Sequence, residues 1–333
     1  MRPIILDAQF LRVNPHASAF HFCNFMPSLR SRILHHTLDR VTSALDAHLS
    51  VQEQRTRLDE LARRNIRLPK GVTVCITQAG GVHAEWIAPA GIGPQATILY
   101  LHGGGYSICS LDTHRGLAAR LSQAGNSRLL LVDYRLAPEH PFPAALDDAL
   151  AAYRWLLAEG VSADRLVVAG DSAGGGLALA TALSLRCTGE PLPAALALIS
   201  PWTDLTFSGE SICTRAAVDP VLKIQGAPLV NYYTAGRDAS DPLISPLFAD
   251  LGGMPPMLIQ VGSDEILLSD STRLVEKACT AGVDARLEIW PGMWHVFQVF
   301  APYLPEAQQA IDAMGEYIIT CISSDVGEQR RQN

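Results

Sequence analysis

Six short, largely apolar segments limit what this chain can fold into. They are ATILYLH at 96–102, RLLLVDY at 128–134, RLVVAG at 165–170, AALALIS at 194–200, MLIQVG at 257–262 and ARLEIW at 285–290. Most lack the polar alternation of a half-solvated strand, which suits strands covered on both faces of a parallel sheet. Between them the period changes. Pro143 opens a segment whose apolar positions Leu146, Ala149, Leu150, Tyr153, Leu156 and Leu157 step by three and four, as on a helix face. LALATALSLR forms the body of a second helix, and others are predicted from about Ser271 to Ala281 and from about Glu306 to Cys321. Strands alternating with helices predict an α/β fold: a central, mostly parallel sheet flanked by helices.

The rest of the 333 residues divides around that frame. Residues 1–70 read as polar helices, with HLSVQEQRTRLDELARR carrying mixed charge on a helical period. VTVCITQ and VHAEWIA, joined by Gly80-Gly81, read as a hairpin. Residues 201–250 break the alternation with a Pro/Gly-punctuated, aromatic stretch too long for a structureless loop. We read it as a partly helical insertion over the functional edge of the sheet. The expected organisation is therefore N-terminal helices at 1–70 contributing to a cap, a catalytic domain at 71–200 and 251–322, and a cap insertion at 201–250.

Composition excludes several function classes. Asp+Glu 33 against Lys+Arg 26 leaves a net charge of −7, which argues against nucleic acid or an anionic membrane surface as the partner. No window is long and apolar enough for a transmembrane helix, and the polar N-terminus predicts no signal peptide. The seven cysteines are scattered and never form a CxxC pair, so reduced thiols in a cytoplasmic protein are expected. An exposed edge strand at ARLEIW would offer a surface on which two copies could pair as a homodimer.

The chemistry is concentrated in a few places. Gly170-Asp171-Ser172-Ala173-Gly174 matches G-x-S-x-G, directly after the run RLVVAG and directly before a helix. A tight strand-to-helix turn there would expose the Ser172 hydroxyl, and a helix N-terminus would lie beneath developing negative charge. His102-Gly103-Gly104-Gly105 follows ATILYL. Its glycines let backbone N–H groups turn toward a substrate oxygen, and the N–H of Ala173 supplies the other half of an oxyanion hole. The spacing of a dinucleotide loop fails, because Ile108 stands where its third glycine would be. His102 reads as structural, and Asp171 as a turn or network residue.

A serine nucleophile needs a base and an orienting acid, in the chain order Ser, acid, His for this architecture. Asp264 lies two residues past MLIQVG and 92 after Ser172; His295 lies five past ARLEIW and 31 after Asp264. Both follow strand C-terminal ends, where open parallel sheets bind ligands. Glu265 and Asp270 are the rival acids. Asp264 is preferred over Glu265, which points differently from a neighbouring position, and over Asp270, for which an N-cap role on the next helix is expected.

Taken together, HGGGY at 102–106, DYRLAPEHPFPAALDDA at 133–149, GDSAGG at 170–175, SPWTDL at 200–205, GSDEILLSD at 262–270 and MWHVF at 293–297 make the chain resemble the hormone-sensitive-lipase-like family of α/β-hydrolases, in its bacterial carboxylesterase branch. The resemblance spans about residues 70–320. It implies a Ser172–Asp264–His295 triad, an oxyanion hole from Gly103, Gly104 and Ala173, a cap, and a structural role for Arg135 and Glu139 near the oxyanion glycines. One departure falls on the acid, where some relatives read DPLxD and this chain reads DEILLSD.

The implied reaction is hydrolysis of short-chain carboxylic esters through an acyl-enzyme, with a small-molecule ester as partner and no cofactor. The sequence carries no metal-ligand cluster and no P-loop lysine. Tyr106, Trp202, Phe207, Tyr232, Trp294, Val296 and Phe297 are either pocket walls or core. The alternatives are a ligand-binding module, against which retention of all three triad residues argues, a peptidase or amidase, a dehydrogenase, and a structural role.

Overall fold

In a computed structural model, residues 19–23, 26–43, 49–91, 93, 96–222 and 227–329 are described; the N-terminal segment read for a signal peptide lies outside them. Among the described residues, nine strands form one sheet: β1 (Phe20–Phe22), β2 (Val72–Ala79), β3 (Val82–Pro89), β4 (Ala96–Leu101), β5 (Ser127–Val132), β6 (Leu166–Asp171), β7 (Ala195–Ile199), β8 (Met257–Gly262) and β9 (Ala285–Trp290). Their spatial order is β1-β9-β8-β7-β6-β4-β5-β3-β2. The expected hairpin is β2–β3, closing with Ala79 opposite Val82; it and the β3–β5 pair are antiparallel, and all other pairs are parallel.

Most of the apolar runs become strands covered on both faces, while in β9 Arg286 is exposed and Glu288 half-buried. Along β4, Leu99 and Leu101 enter one core, and Ile98 and Tyr100 enter the other. The first core packs under helices α4 (Ala144–Ala158), α5 (Ala173–Thr188) and α8 (Leu268–Thr280). The second packs under α3 (Leu111–Ala124) and α9 (Pro305–Gln329). Helix α5 is buried along most of its length, which explains why its sequence is apolar all round.

Among the described residues, two helices precede the hairpin, α1 (Leu29–Ser43) and α2 (Val51–Asn65). The second starts at a capping box in which the Ser50 hydroxyl accepts from Glu53 N–H and Ser50 N–H donates to the Glu53 carboxylate. The 201–250 segment is partly helical, as predicted, with α6 (Ser211–Thr214) and α7 (Ala227–Thr234). The edge at ARLEIW is not free. Phe20–Phe22 pairs in parallel with Leu287–Ile289 and occupies the outer side of β9, so the surface expected to pair two copies is already used within the chain. Among the described residues, no helix is long and apolar enough to cross a membrane and no His/Cys/Asp/Glu group could hold a metal ion.

Candidate active site

Ser172 is the one residue between β6 and α5, and its backbone sits at φ 54°, ψ −124°. Such a conformation is strained for a residue with a side chain and holds only where surrounding bonds impose it. Here Ser172 N–H donates to Ile199 O at 2.9 Å, and Ser172 O accepts from Trp202 N–H at 2.8 Å. The motif's glycines are steric necessities. A Cβ on Gly170 would overlap the carbonyl of Gly174, and one on Gly174 would overlap the carbonyls of Leu101 and His102.

The hydroxyl oxygen of Ser172 lies 2.9 Å from Nε2 of His295, and both side chains are almost wholly buried. Nδ1 of the same ring lies 2.8 Å from Oε2 of Glu265. A carboxylate can only accept, so Nδ1 carries the proton and Nε2 is left to accept from serine. Glu265 is held by its other oxygen, which accepts from the Ser200 hydroxyl at 2.8 Å and from Gly262 N–H at 2.6 Å. Ser200 Oγ in turn accepts from Val296 N–H at 3.2 Å, tying the acid to the residue beside the histidine. Burial pushes the His295 imidazole down, but the hydrogen bond and charge of Glu265, with the charges of Asp219 and Asp171, outweigh it and raise its pKa.

This corrects the assignment of the acid. Asp264 does not reach His295: its N–H donates to Met293 O at 2.9 Å and its carboxylate accepts from Ser263 Oγ at 2.8 Å. The Asp264–Met293 backbone bond fixes the turn after β8, and the next side chain, one methylene longer, enters the site. Asp270 is no N-cap either. Its Oδ2 accepts from the N–H groups of Thr203 and Asp204, anchoring the start of the insertion, and burial pushes its carboxyl up to about 7.

The glycine loop carries a second correction. Gly103 N–H donates to Asp171 Oδ1 at 3.1 Å and is engaged there rather than facing an oxyanion. Among the described residues, the N–H groups of Gly104 and Ala173 have no acceptor within the protein. Gly104 turns the loop at φ 113°. Asp171 is a fully buried network residue: Oδ1 also accepts from Tyr100 OH at 2.8 Å, and Oδ2 lies 3.1 Å from His114 Nε2. Burial pushes that carboxyl up, yet His114 and these hydrogen bonds bring it below its ordinary value. His102 stacks on Tyr134 at 4.4 Å, and burial together with the charge of His114 holds it down at about 4, a neutral ring that braces the loop.

Arg135 pairs with Asp148, with Nη2–Oδ1 at 2.8 Å. Glu139 instead meets Arg55 of α2. The aromatic residues separate into two groups. Tyr106, Trp202 and Phe207 form a row with ring centroids 6.3 and 5.5 Å apart, and Tyr233, which sequence reasoning missed, stacks on Tyr106 at 3.7 Å. Trp294 and Phe297 lie in a separate buried cluster with Trp290 and Met293, so they are core. Val296 is buried at φ 49° beside His295, and Tyr232 is exposed.

A family model of the α/β-hydrolase fold matches residues 98–299. An acetyl-hydrolase of Streptomyces hygroscopicus is 44% identical over 77% of this chain and 85% of its own. An esterase of Acinetobacter venetianus is 40% identical over 81% and 89%. Among solved structures, an esterase of the bacterial hormone-sensitive lipase family superposes with TM-score 0.85 at 42% identity, over 90% of this chain and all of the other. A hormone-sensitive lipase from a metagenome library gives 0.86 at 41%, over 89% and all of the other. The motifs, the sheet order and these likenesses agree, and the chain belongs to the hormone-sensitive-lipase-like family of the α/β-hydrolases.

Proposed function

We propose that the protein is a serine carboxylesterase that hydrolyses short-chain carboxylic esters through an acyl-enzyme, with Ser172 as nucleophile, His295 as general base and acid, and Glu265 as the orienting acid. The carrying observation is the unbroken chain of hydrogen bonds from Ser172 Oγ through His295 to Glu265. His295 Nε2 takes the hydroxyl proton as Ser172 Oγ bonds to the ester carbonyl carbon. The carbonyl oxygen becomes the oxyanion, met by the N–H groups of Gly104 and Ala173. Collapse breaks the ester C–O bond, and His295 gives its proton to the leaving alcohol. Water then repeats the steps, releasing the acid and restoring Ser172.

Glu265 keeps the imidazole in the tautomer that can accept from serine and stabilises the imidazolium. Relatives bearing the names acetyl-hydrolase and esterase support the substrate class. We read residues 1–70 and 201–250 as a cap over that site. The reading is supported by Arg55 of α2, which binds the loops beside the oxyanion glycines.

The deciding experiment compares the parent with Ser172→Ala on p-nitrophenyl acetate, alongside labelling by a fluorophosphonate. Turnover is expected to drop by roughly 10⁴–10⁶, by the scale of serine-triad deletions, and labelling to vanish. Parent-like turnover in the variant would refute the assignment.

A further inference from the structure

Asp219 stands in the middle of the inserted segment, in AVDPV, and is fully buried. Its Oδ1 accepts from Val221 N–H at 2.8 Å and Leu222 N–H at 2.9 Å, closing a turn of the insertion on itself. Its Oδ2 accepts from Ile266 N–H at 3.0 Å. That last bond crosses 47 residues of sequence and lands on the residue next to Glu265. A buried carboxylate is costly unless its oxygens are satisfied, and three N–H donors converge on this one. Burial pushes its carboxyl up, while the His295 imidazole and the backbone donors pull it back part of the way.

Negative charge on three elements favours the protonated form of the same imidazole: Glu265 on the turn after β8, Asp219 on the insertion and Asp171 at the end of β6. Glu265 bonds to its Nδ1 at 2.8 Å. Resting on the triad reading above, we propose that Asp219 is a positioning residue for the Glu265–His295 pair, fixing the turn that bears Glu265 and adding a second buried negative charge that favours the imidazolium formed during acylation. The insertion is thereby a structural part of the catalytic machinery as well as a cover for it.

An amide cannot substitute. Asparagine has one acceptor oxygen, so its NH₂ must face either Ile266 N–H or the Val221 and Leu222 pair, and the negative charge is gone. The test is Asp219→Asn, assayed on p-nitrophenyl acetate across pH with folding checked by circular dichroism. The acid limb of kcat/KM is expected to move to lower pH by about 0.3 unit or more, because the imidazolium loses a stabilising charge. Turnover is expected to fall about tenfold with KM within about twofold.

A folded Asp219→Asn protein whose acid limb superposes on the parent's overturns the proposal. If that variant does not fold, Asp219→Glu decides. With the charge kept its limb is expected at the parent's position, and a limb displaced to lower pH overturns the proposal. Parent turnover that survives Ser172→Ala sinks the triad reading and this proposal with it. Ser172-dependent turnover with an unmoved limb sinks the proposal alone.

Discussion

Glu265 Oε2 stands 2.8 Å from His295 Nδ1, while Asp264, its neighbour in the chain, turns its carboxylate to Ser263. The two acids can therefore be separated by single substitutions. Glu265→Gln puts an amide opposite Nδ1 and favours the wrong tautomer. By the scale of amide-for-acid exchange in serine triads, kcat is expected to drop by about 10⁴. Asp264→Asn is expected to stay within about threefold of the parent, since its carboxylate meets a partly exposed serine hydroxyl rather than the imidazole. Steady-state kinetics of both variants on p-nitrophenyl acetate checks this, and the reverse ranking would restore Asp264 as the acid.

The raised pKa of His295 fixes the sense of the pH dependence. Acylation needs the neutral ring, so kcat/KM should rise with pH through a midpoint above the ordinary histidine value of about 6.5. Stability has the opposite sense. A folded-state pKa above the unfolded one favours protonation in the native protein, so this contribution is present below about 6.5 and is lost as pH rises through the native value. Glu265→Gln removes the largest upward influence and should lower the midpoint. A rate profile from pH 5 to 9 with a parent midpoint below about 6 would contradict the geometry.

The strands were legible because burial on both faces leaves a signature within six residues, as in ATILYL. That Ser172 and His295 would meet was legible because the turn chemistry and chain order restrict them. Which of Asp264 and Glu265 enters the site was not. It is settled by the bond from Asp264 N–H to Met293 O and the bond from Gly262 N–H back to Glu265, neither of which leaves a mark on local pattern. Gly103 was assigned wrongly for a related reason, since its N–H is taken by an aspartate 68 residues away. Strand β1 was missed because FHF is too short to show a period, and its pairing with Leu287–Ile289 is long-range.

Gly174 tests the packing behind the nucleophile. A Cβ there would overlap the carbonyl oxygens of Leu101 and His102, which belong to β4 and to the start of the oxyanion loop. Neither backbone can yield without parting the sheet from α5. Gly174→Ala is expected to cost more than about 3 kcal/mol and to abolish turnover, the upper end of what overpacking does. Gly93→Ala, where the space is open and φ lies outside the left-handed region, is expected to be silent. Thermal melts and activity of the pair check the contrast.

Arg55 binds the N-terminal helix α2 to the loops that shape the site. Its Nε donates to Ser107 O at 2.7 Å, its Nη2 to Ala137 O at 2.7 Å, and the fork closes on Glu139. Ser107 lies three residues beyond Gly104, so the contact bears on the oxyanion loop itself. The Glu139 pair is partly solvated and contributes little, but both carbonyls lose a charged donor when Arg55 is removed. Arg55→Ala is expected to cost about 1–2 kcal/mol and to lower kcat/KM severalfold. Lysine, a point donor without the planar fork, should recover only part of both. Arg63 on the same helix pairs with Asp112 from an exposed position, and Arg63→Ala should cost less than about 0.5 kcal/mol with turnover unchanged. Denaturation and kinetics of the three variants distinguish a helix that holds the oxyanion loop from one that merely rests on the surface, for which Arg55→Ala and Arg63→Ala would be equally mild.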